Sequence, residues 1–476
     1  MLTPITSSEW NEVRAAHLFN RAGFGASLSA ISAAARRRPE EVVEQLVEFQ
    51  GIPDSFRPPD WAADAPAPRA QAAGAEATPE EQQMARMERR QEERRQLADL
   101  RSWWIERMLY SPHPLQEKLT LFWHGHFATG FRKVSSARAM YLQNQTFREH
   151  ANGNWEEILV AVAKDPAMLV YLDNARSRAA APNENFAREL LELFTLGEGH
   201  YTEEDVREAA RAFTGWSVDS DRLQFVFRAR HHDTGRKRFM GRRGTLDGYD
   251  VLRQLARHPR SAAFMMDKLW EYFAYPEPEP EIVEALSEQF RKENGEFRPI
   301  LKTIFLSRAF YSHQSFRTQI KSPIQFFVGA IRALEADLPR NQRATARALR
   351  ALGQELFDPP NVSGWLGGTA WISTGSLMQR YRLADAMVKG FASEGIAFQL
   401  RTRFDADRVL PRYARAERRQ CREYLQWRLY QSLLRPRDAD LFDAYIARRP
   451  LPSRWSEEEV KDVISFMMKT PQYQLT

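Results

Sequence analysis

The stretch PNENFARELLELFTLGEGHYTEEDVREAARAFTGW (residues 182–216) decides the fold class, because it reads as two consecutive amphipathic helices. Asn183 can cap a helix over Glu184–Leu196, and Gly197 and Gly199 supply the left-handed positions that end such a helix. Thr202 opens the next helix with the capping box TEED, in which an Asp occupies the N3 position. The sequence therefore predicts a helix-stop-helix unit in the middle of the chain.

The same helical periodicity continues on both sides of this unit, which predicts a mostly α fold, an irregular multi-helix assembly with one small β-hairpin. We divide the chain into N-terminal helices (1–50), a linker and charged helix insertion (51–100), a central helical core with His/Glu motifs (101–220), the β-hairpin (221–245) and a C-terminal helical region (246–476) that contains a Gly/Trp-rich loop at 358–375.

Three local features are specific enough to test. Residues 8–50 read as two helices joined by a turn at 21–25, and Gly125 is expected to end the helix that carries FWHGHF. The hairpin is expected within residues 222–240, where QFVFR alternates, DTG forms the turn and RKRFMG returns.

Composition bounds the function of this 476-residue chain. With 43% hydrophobic and 27% charged residues it is globular, and its net charge of +6 is too dispersed for a nucleic-acid binder. A single cysteine, Cys421, excludes a disulfide framework. No apolar run is long enough to span a membrane. The N-terminal residues lack a signal-peptide pattern, which predicts a cytoplasmic location unless an unrecognised export route exists.

His124 and His126 lie among aromatic residues in LFWHGHFATG, so we expect both imidazoles to be buried. A buried imidazole can be a hydrogen-bonded core group, a metal ligand or an acid–base group, and the sequence leaves all three open. If the helix ends at Gly125, the two rings could converge on one site.

The helix that follows Asn183 presents several carboxylates. Glu184, Arg188 and Glu192 lie at i, i+4 and i+8, and Glu189 lies three residues before Glu192. Carboxylates on such a helix can join histidines of a neighbouring helix in a metal site, or they can form exposed Glu–Arg pairs.

Two further segments are candidates. The sequence HHD places His232 and Asp233 at the expected hairpin tip, either as substrate-facing groups or as exposed turn residues. In the loop at 358–375, Trp365 and Trp371 could stack on a planar substrate or fill a gap between helical layers. Serine-hydrolase elbows, phosphate-binding glycine loops and HExxH motifs are absent from the sequence.

Taken together, FWHGHF, DPAMLVYLDN, NENFARELLELFTLGEGHYTEEDV, ARAFTGW, HHDTGRKRFMG, HPRSAAFMMDKLW and PPNVSGWLGGTAWISTGSLMQR resemble, in this order, the bacterial proteins known as domain of unknown function 1800. The resemblance runs from about residue 10 to the C-terminus. Such proteins are commonly encoded beside an alkaline-phosphatase- or sulfatase-like protein, which implies a two-protein system. The matching motifs contain His124, His126, Asp173, Asn183, Glu184, Asn185, Arg188, Glu189, Glu192, Thr202, Asp205, Arg211, Trp216, His232 and Asp233.

We therefore expect an enzyme with a His/Glu/Asp site, in the class of metal-dependent hydrolases, whose substrate the sequence does not name. A divalent metal is the expected cofactor, and without it two carboxylates could do the acid–base work. The alternative is a non-catalytic helical partner or maturation protein for the sulfatase-like protein. The expected catalytic groups are Glu184, Arg188, Glu189 and Asp233, the expected metal ligands are His124, His126, Glu192 and His232, and the expected substrate-binding residues are Asn183, Asn185, Trp216, Trp365 and Trp371.

Overall fold

Capped amphipathic helices make up most of the chain, and the predicted mostly α class is confirmed. The computed structural model describes residues 2–50, 52, 54–63, 78–339, 342–389 and 405–476. The segment before the long charged helix, predicted as a linker, lies largely outside the described residues.

The first half of the described chain contains α1 to α12. Their bounds are α1 Glu12–Ala22, α2 Leu28–Ala35, α3 Pro39–Val47, α4 Asp60–Ala63, α5 Pro79–Tyr110, α6 Pro114–His126, α7 Phe131–Val134, α8 Ala137–Glu149, α9 Trp155–Ala163, α10 Pro166–Tyr171, α11 Glu184–Glu189 and α12 Glu203–Ala212. A π-helical segment, Leu190–Leu196, directly continues α11.

Four short strands separate this half from the remaining helices: β1 Trp216–Asp219, β2 Gln224–Phe227, β3 Lys237–Phe239 and β4 Arg242–Gly244. The helices that follow are α13 Gly248–Ala256, α14 Pro259–Phe273, α15 Pro280–Lys292, α16 Phe297–Leu306, α17 Pro323–Leu334, α18 Gln342–Ala351, α19 Thr374–Lys389, α20 Ala406–Val409, α21 Arg418–Tyr430, α22 Pro436–Ala447 and α23 Glu457–Met468. Single 3₁₀ turns occupy Asn174–Arg176, Ala229–His231, Gly368–Trp371, Arg412–Arg415, Pro452–Arg454 and Pro471–Gln474.

The hairpin was predicted with the wrong strand partners. QFVF pairs antiparallel with Trp216–Asp219, and KRF pairs with Arg242–Gly244, so the described chain has two small two-stranded sheets. The turn into β2 uses Leu223, which has a positive φ of 52°, a conformation that sequence patterns do not announce in leucine. HHD consequently lies between two hairpins and not at the tip of one.

Three helix boundaries also differ from expectation. Residues 8–50 form three helices, because Ser27 caps α2 and Pro39 opens α3 at its first turn. Helix α6 continues through Gly125 to His126. The helix predicted over Glu184–Leu196 widens into the π-helix after Glu189. Its predicted cap by Asn183 and the TEED capping box are confirmed.

The described helices bury two hydrophobic cores, and α6 lies between them. Leu119 and Trp123 of α6 belong to the core built from α1–α3 and α9–α16. Leu121, on another side of α6, belongs to the core built from α5, α8 and α17–α23. The motif LFWHGHF therefore occupies the seam where both cores meet.

Membrane-spanning character is not found in these helices: of those that the structure describes, none has the length and apolar content that a bilayer crossing requires.

Candidate functional site

His124 and His126 point toward different cores. Because residues two apart on an α-helix are separated by about 200° of rotation, continuation of α6 through Gly125 sends the two rings apart. The His124 ring contacts Trp104 and Phe357 of the second core, whereas the ring of His126 contacts Phe127 and Phe194 of the first. The two imidazoles therefore do not converge.

The Nε2 atom of His124 accepts a hydrogen bond of 2.9 Å from the backbone N–H of Phe357. His124 is 1% exposed, and this burial lowers its pKa to about 3. The imidazole is therefore neutral, and the lone pair that a metal would need at Nε2 is already used by the backbone. His124 fastens the segment before the Gly/Trp loop onto α6.

His126 contacts the π-helix. Its Nε2–H donates to the Phe194 carbonyl at 3.0 Å, and its Nδ1 is buried without a hydrogen-bond partner in the described chain. Burial, together with the charge of Lys268, holds the pKa of His126 well below its usual range. The ring is thus neutral with its proton on Nε2, which satisfies a carbonyl that the end of the helix leaves without a backbone partner.

Two other side chains satisfy carbonyls of the same segment. The Thr195 hydroxyl donates to the Leu190 carbonyl at 2.6 Å, and Arg260 Nε donates to the Leu196 carbonyl at 2.9 Å. Helix ends leave carbonyls unsatisfied unless a side chain or water reaches them. Three side chains from α6, the π-helix and α14 therefore stabilise this wide turn.

Glu189 and Glu192 flank the start of the π-helix and differ in environment. Both are half-buried, and Glu192 accepts a short hydrogen bond from the Tyr201 hydroxyl. Burial raises the pKa of Glu189, and the neighbouring charge of Glu192 raises it further. The charge of Arg188 offsets only part of this rise, and in the described part of the chain Glu189 makes no hydrogen bond or ion pair through its carboxylate. Burial and the bond to Glu192 also raise the pKa of Tyr201 to about 12.

The carboxylates around Glu189 are paired with cations. Arg188 makes two hydrogen bonds of 2.8 Å to Glu203 at the start of α12 and lies 3.5 Å from Glu184. Glu–Arg pairs were one of the two alternatives for this helix in the sequence analysis, and these contacts are of that kind. They join α11 to α12. Glu184 and Arg188 are thus held in place by each other and by Glu203.

Asn183 and Asn185 anchor backbone rather than line an opening. Asn183 Oδ1 accepts from the Asn185 N–H at 2.8 Å, and Asn183 Nδ2 donates to the Asp173 carbonyl at 3.0 Å. Asn185 Nδ2 reaches the Leu172 carbonyl at 3.4 Å. Both amides tie the start of α11 to the end of α10.

His232 and Asp233 form a separate polar cluster near β1. His232 Nδ1–H donates to the Thr214 carbonyl at 2.8 Å, and Asp233 pairs with Arg211 at 2.7 Å. Hydrogen bonds from Arg211 hold the pKa of Asp233 below its usual range. The Asp233 carboxylate is therefore ionised and committed to Arg211.

The three tryptophans expected at a substrate site are packed to different degrees. Trp216 is 1% exposed between Phe213 and Phe225, and Trp371 is 8% exposed. Trp365 is half-buried, with its ring 5.4 Å from that of His124. Trp216 and Trp371 thus have the placement of core residues, and Trp365 packs its loop against α6.

The expected site residues consequently lie in three environments: His124 with the Gly/Trp loop, His126 with the π-helix, and His232 with Asp233. Among the described residues, no group of three or more His, Cys, Asp and Glu side chains is arranged to hold a metal ion. The pair that the structure does bring together is Glu189 and Glu192.

Sequence reasoning missed the tyrosines beside this pair. Tyr201 was part of a recognised motif, but its spacing to Glu192 crosses the glycine stop and carries no helical signal. Burial raises the pKa of Tyr171, and the charges of Asp358 and Glu189 raise it further, so Tyr171 lies within electrostatic reach of both carboxylates. Asp358, from the Gly/Trp loop, is itself paired with Arg132 at 2.6 Å.

Comparison with known proteins identifies one family. The model of a family described as a protein of unknown function (DUF1800) matches residues 17–475, nearly the whole chain. Neither curated proteins nor solved structures provide a match. The motifs that build the seam around α6 and the π-helix all fall within the matched residues, and the chain belongs to the DUF1800 family.

Proposed function

We propose that the chain is a hydrolase in which Glu189 and Glu192 are the acid–base pair. The observation that carries this proposal is that Glu189 makes no ion pair with the described residues, whereas Glu184, Glu203 and Asp358 do. A half-buried carboxylate without an ion pair costs stability, and such groups occur frequently at functional sites.

The two carboxylates have the unequal environments that acid–base catalysis needs. Burial and the Glu192 charge favour the protonated form of Glu189, which suits a general acid. The Glu192 carboxylate accepts a hydrogen bond from Tyr201, which holds it in one orientation and suits a general base that activates water. A π-helical turn at this point supports the proposal, because such turns occur frequently at functional sites.

The proposal does not rest on a metal ion. His124 and His126 each use Nε2 in a backbone hydrogen bond, so a metal bound there would have to displace one of them. The remaining ligand candidates, Glu192 and His232, lie in different environments. We therefore assign the chemistry to the carboxylates.

The test compares Glu189→Gln with Glu198→Gln, a control at an exposed glutamate on the following turn. The pKa of Glu189, measured by carbon-13 NMR of labelled carboxyl groups, should lie above the usual glutamate value. Chromogenic esters, phosphate esters, sulfate esters and glycosides then serve as substrates. Any hydrolysis should fall about 100-fold or more in Glu189→Gln and persist in Glu198→Gln. An ordinary Glu189 pKa, or activity that survives the loss of both carboxylates, would contradict the proposal.

A second candidate, a helical partner or maturation protein for a sulfatase-like protein, is favoured by the histidines. Both His124 and His126 stabilise backbone segments, as expected if the motifs specify one packing. Under this candidate, co-expression of the chain with a sulfatase-like protein of the same genome should yield a complex, and Glu189→Gln should leave that complex intact.

A further inference from the structure

The region around the two hairpins carries many exposed arginines without carboxylate partners. We define the arginine face by seven exposed arginines of this region that make no ion pair with the described residues: Arg176, Arg178, Arg228, Arg230, Arg236, Arg238 and Arg243. Several neighbouring carboxylates are already paired: Asp233 and Glu208 pair with Arg211, and Asp250 lies 3.3 Å from Arg242. Asp219 is within electrostatic reach of Arg228 but makes no ion pair with it. The nearby carboxylates therefore compensate the positive charge of the face only in part.

Backbone hydrogen bonds bring its first four members together. The N–H of Ala179, next to Arg178, donates to the His231 carbonyl at 2.8 Å, next to Arg230. Gly215 bonds the Ser177 carbonyl at 3.1 Å, and Arg228 N–H bonds the Gly215 carbonyl at 2.8 Å. Loop 177–181, which lies far from the hairpins in sequence, is thereby fixed beside them.

The second hairpin adds a like-charge pair. Arg238 on β3 and Arg243 on β4 lie directly opposite each other in the register, and both are exposed. Like charges opposite each other in a sheet are destabilising. An anionic partner would remove this repulsion, which gives a reason for the pair to be present.

The composition of the face favours a protein over a nucleic acid. Its exposed cations are arginines, whereas the lysine of this segment, Lys237, is buried beside Asp233. Phe227, at the end of β2, is 50% exposed and lies 5.3 Å from the His232 ring. Arginine and aromatic residues are enriched at protein interfaces and lysine is depleted. Arginine also matches the planar geometry of carboxylates by two parallel hydrogen bonds.

We propose that the arginine face binds an acidic, carboxylate-rich segment of a partner protein, with Phe227 as an apolar anchor. Steering by the arginines makes association faster at low salt, and it weakens when salt screens the charges. This binding does not depend on the carboxylate pair of the proposed hydrolase.

The test measures binding of a fluorescein-labelled peptide composed of Asp, Glu and Phe by fluorescence anisotropy at low and at physiological salt. Arg178→Glu/Arg230→Glu should weaken binding about tenfold or more. Arg448→Glu/Arg454→Glu is the matched control, because it changes the net charge equally at exposed arginines elsewhere. The control should retain binding.

Further measurements make the proposal falsifiable. Arg238→Glu should weaken peptide binding and leave Tm unchanged or raised, because it turns the repulsive pair with Arg243 into an attractive one. A lower Tm with unchanged peptide binding would show that Arg238 has a structural role, and it would overturn the proposal. Tighter binding of single-stranded DNA or of anionic lipid vesicles than of the peptide would overturn it, as would equal losses in the control or peptide binding that is insensitive to salt.

Discussion

Replacing Gly364 with alanine should separate the Gly/Trp loop from α6. Gly364 has a φ of +76°, and a Cβ at this position would overlap the Gly125 carbonyl oxygen and lie 3.1 Å from the Gly125 carbonyl carbon. Both neighbouring atoms belong to the backbone, so the contact cannot be relieved by a side-chain rotation. The loop itself has to move, and Trp365 has to move with it.

The magnitude follows from a matched substitution in the same loop. Gly367 has a similar φ of +72°, but a Cβ there meets nothing within 4 Å. Gly367→Ala should therefore cost only the left-handed conformation, about 1–2 kcal/mol. Gly364→Ala adds the overlap, for which overpacking costs of about 1–3 kcal/mol are typical, so its total should be about 3 kcal/mol or more.

Urea unfolding followed by tryptophan fluorescence measures the difference between the two variants. Hydrogen exchange then locates it, because the Phe357 amide donates to His124 and should exchange faster when the loop separates from α6. The backbone amides of the π-helix, which His126 contacts, should show little change in exchange rate, since His126 faces the other core. Equal destabilisation by both alanines, or unchanged exchange at Phe357 in Gly364→Ala, would refute the close contact between Gly364 and Gly125.

Three further predictions concern charge and metal. Glu117→Gln should destabilise the protein by about 3–5 kcal/mol, because Arg107 and Arg148 both pair with this fully buried carboxylate. Burial alone would raise the Glu117 pKa, but the two arginines hold it below its usual range. The stabilisation is therefore present above pH about 4 and lost as acid protonates Glu117, which circular dichroism between pH 7 and 3 detects. Burial raises the pKa of Asp165 to about 7, so the stability that its protonated form provides is present below pH about 4 and lost as the pH rises through 7. The urea midpoint of Asp165→Asn should therefore lie closer to that of the wild type at pH 8 than at pH 5. An equal difference in urea midpoint at both pH values would contradict this. Elemental analysis of untagged protein should find far less than one divalent metal per chain, and a stoichiometric metal would return His124 and His126 to consideration as ligands.

Helix caps could be predicted from the sequence because they depend on local contacts. Asn183 bonds the N–H of Asn185, and Thr202 and Asp205 bond each other's backbone, so residue type and short spacing are sufficient to predict them. The strand partners were not readable in this way. The alternation of QFVF is compatible with pairing to the segment before it or to the segment after it. In the structure it pairs with Trp216–Asp219, where the buried ring of Trp216 packs between Phe213 and Phe225.

The arrangement of the candidate site residues could not be predicted from the sequence. Glu189 and Glu192 follow from helical spacing, whereas the separation of His124 from His126 depends on whether α6 continues past Gly125. Glycine usually favours a helix end, but here Gly125 provides the flat surface on which Gly364 and Trp365 pack. That requirement comes from a loop more than 200 residues away, and local patterns carry no trace of it.

The π-helix is contacted by side chains from two motifs that are distant from it in sequence. LLELFTL has the apolar spacing of an ordinary α-helix, so the wider turn has to be stabilised from outside. His126 from FWHGHF bonds the Phe194 carbonyl, and Arg260 from HPRSAAFMMDKLW bonds the Leu196 carbonyl. Each bond satisfies a carbonyl at the end of the π-helix, which directly follows Glu189 and contains Glu192. His126 thus stabilises the backbone that positions Glu189 and Glu192. We expect His126→Ala to change the pKa of Glu189, although Glu189 itself is unaltered.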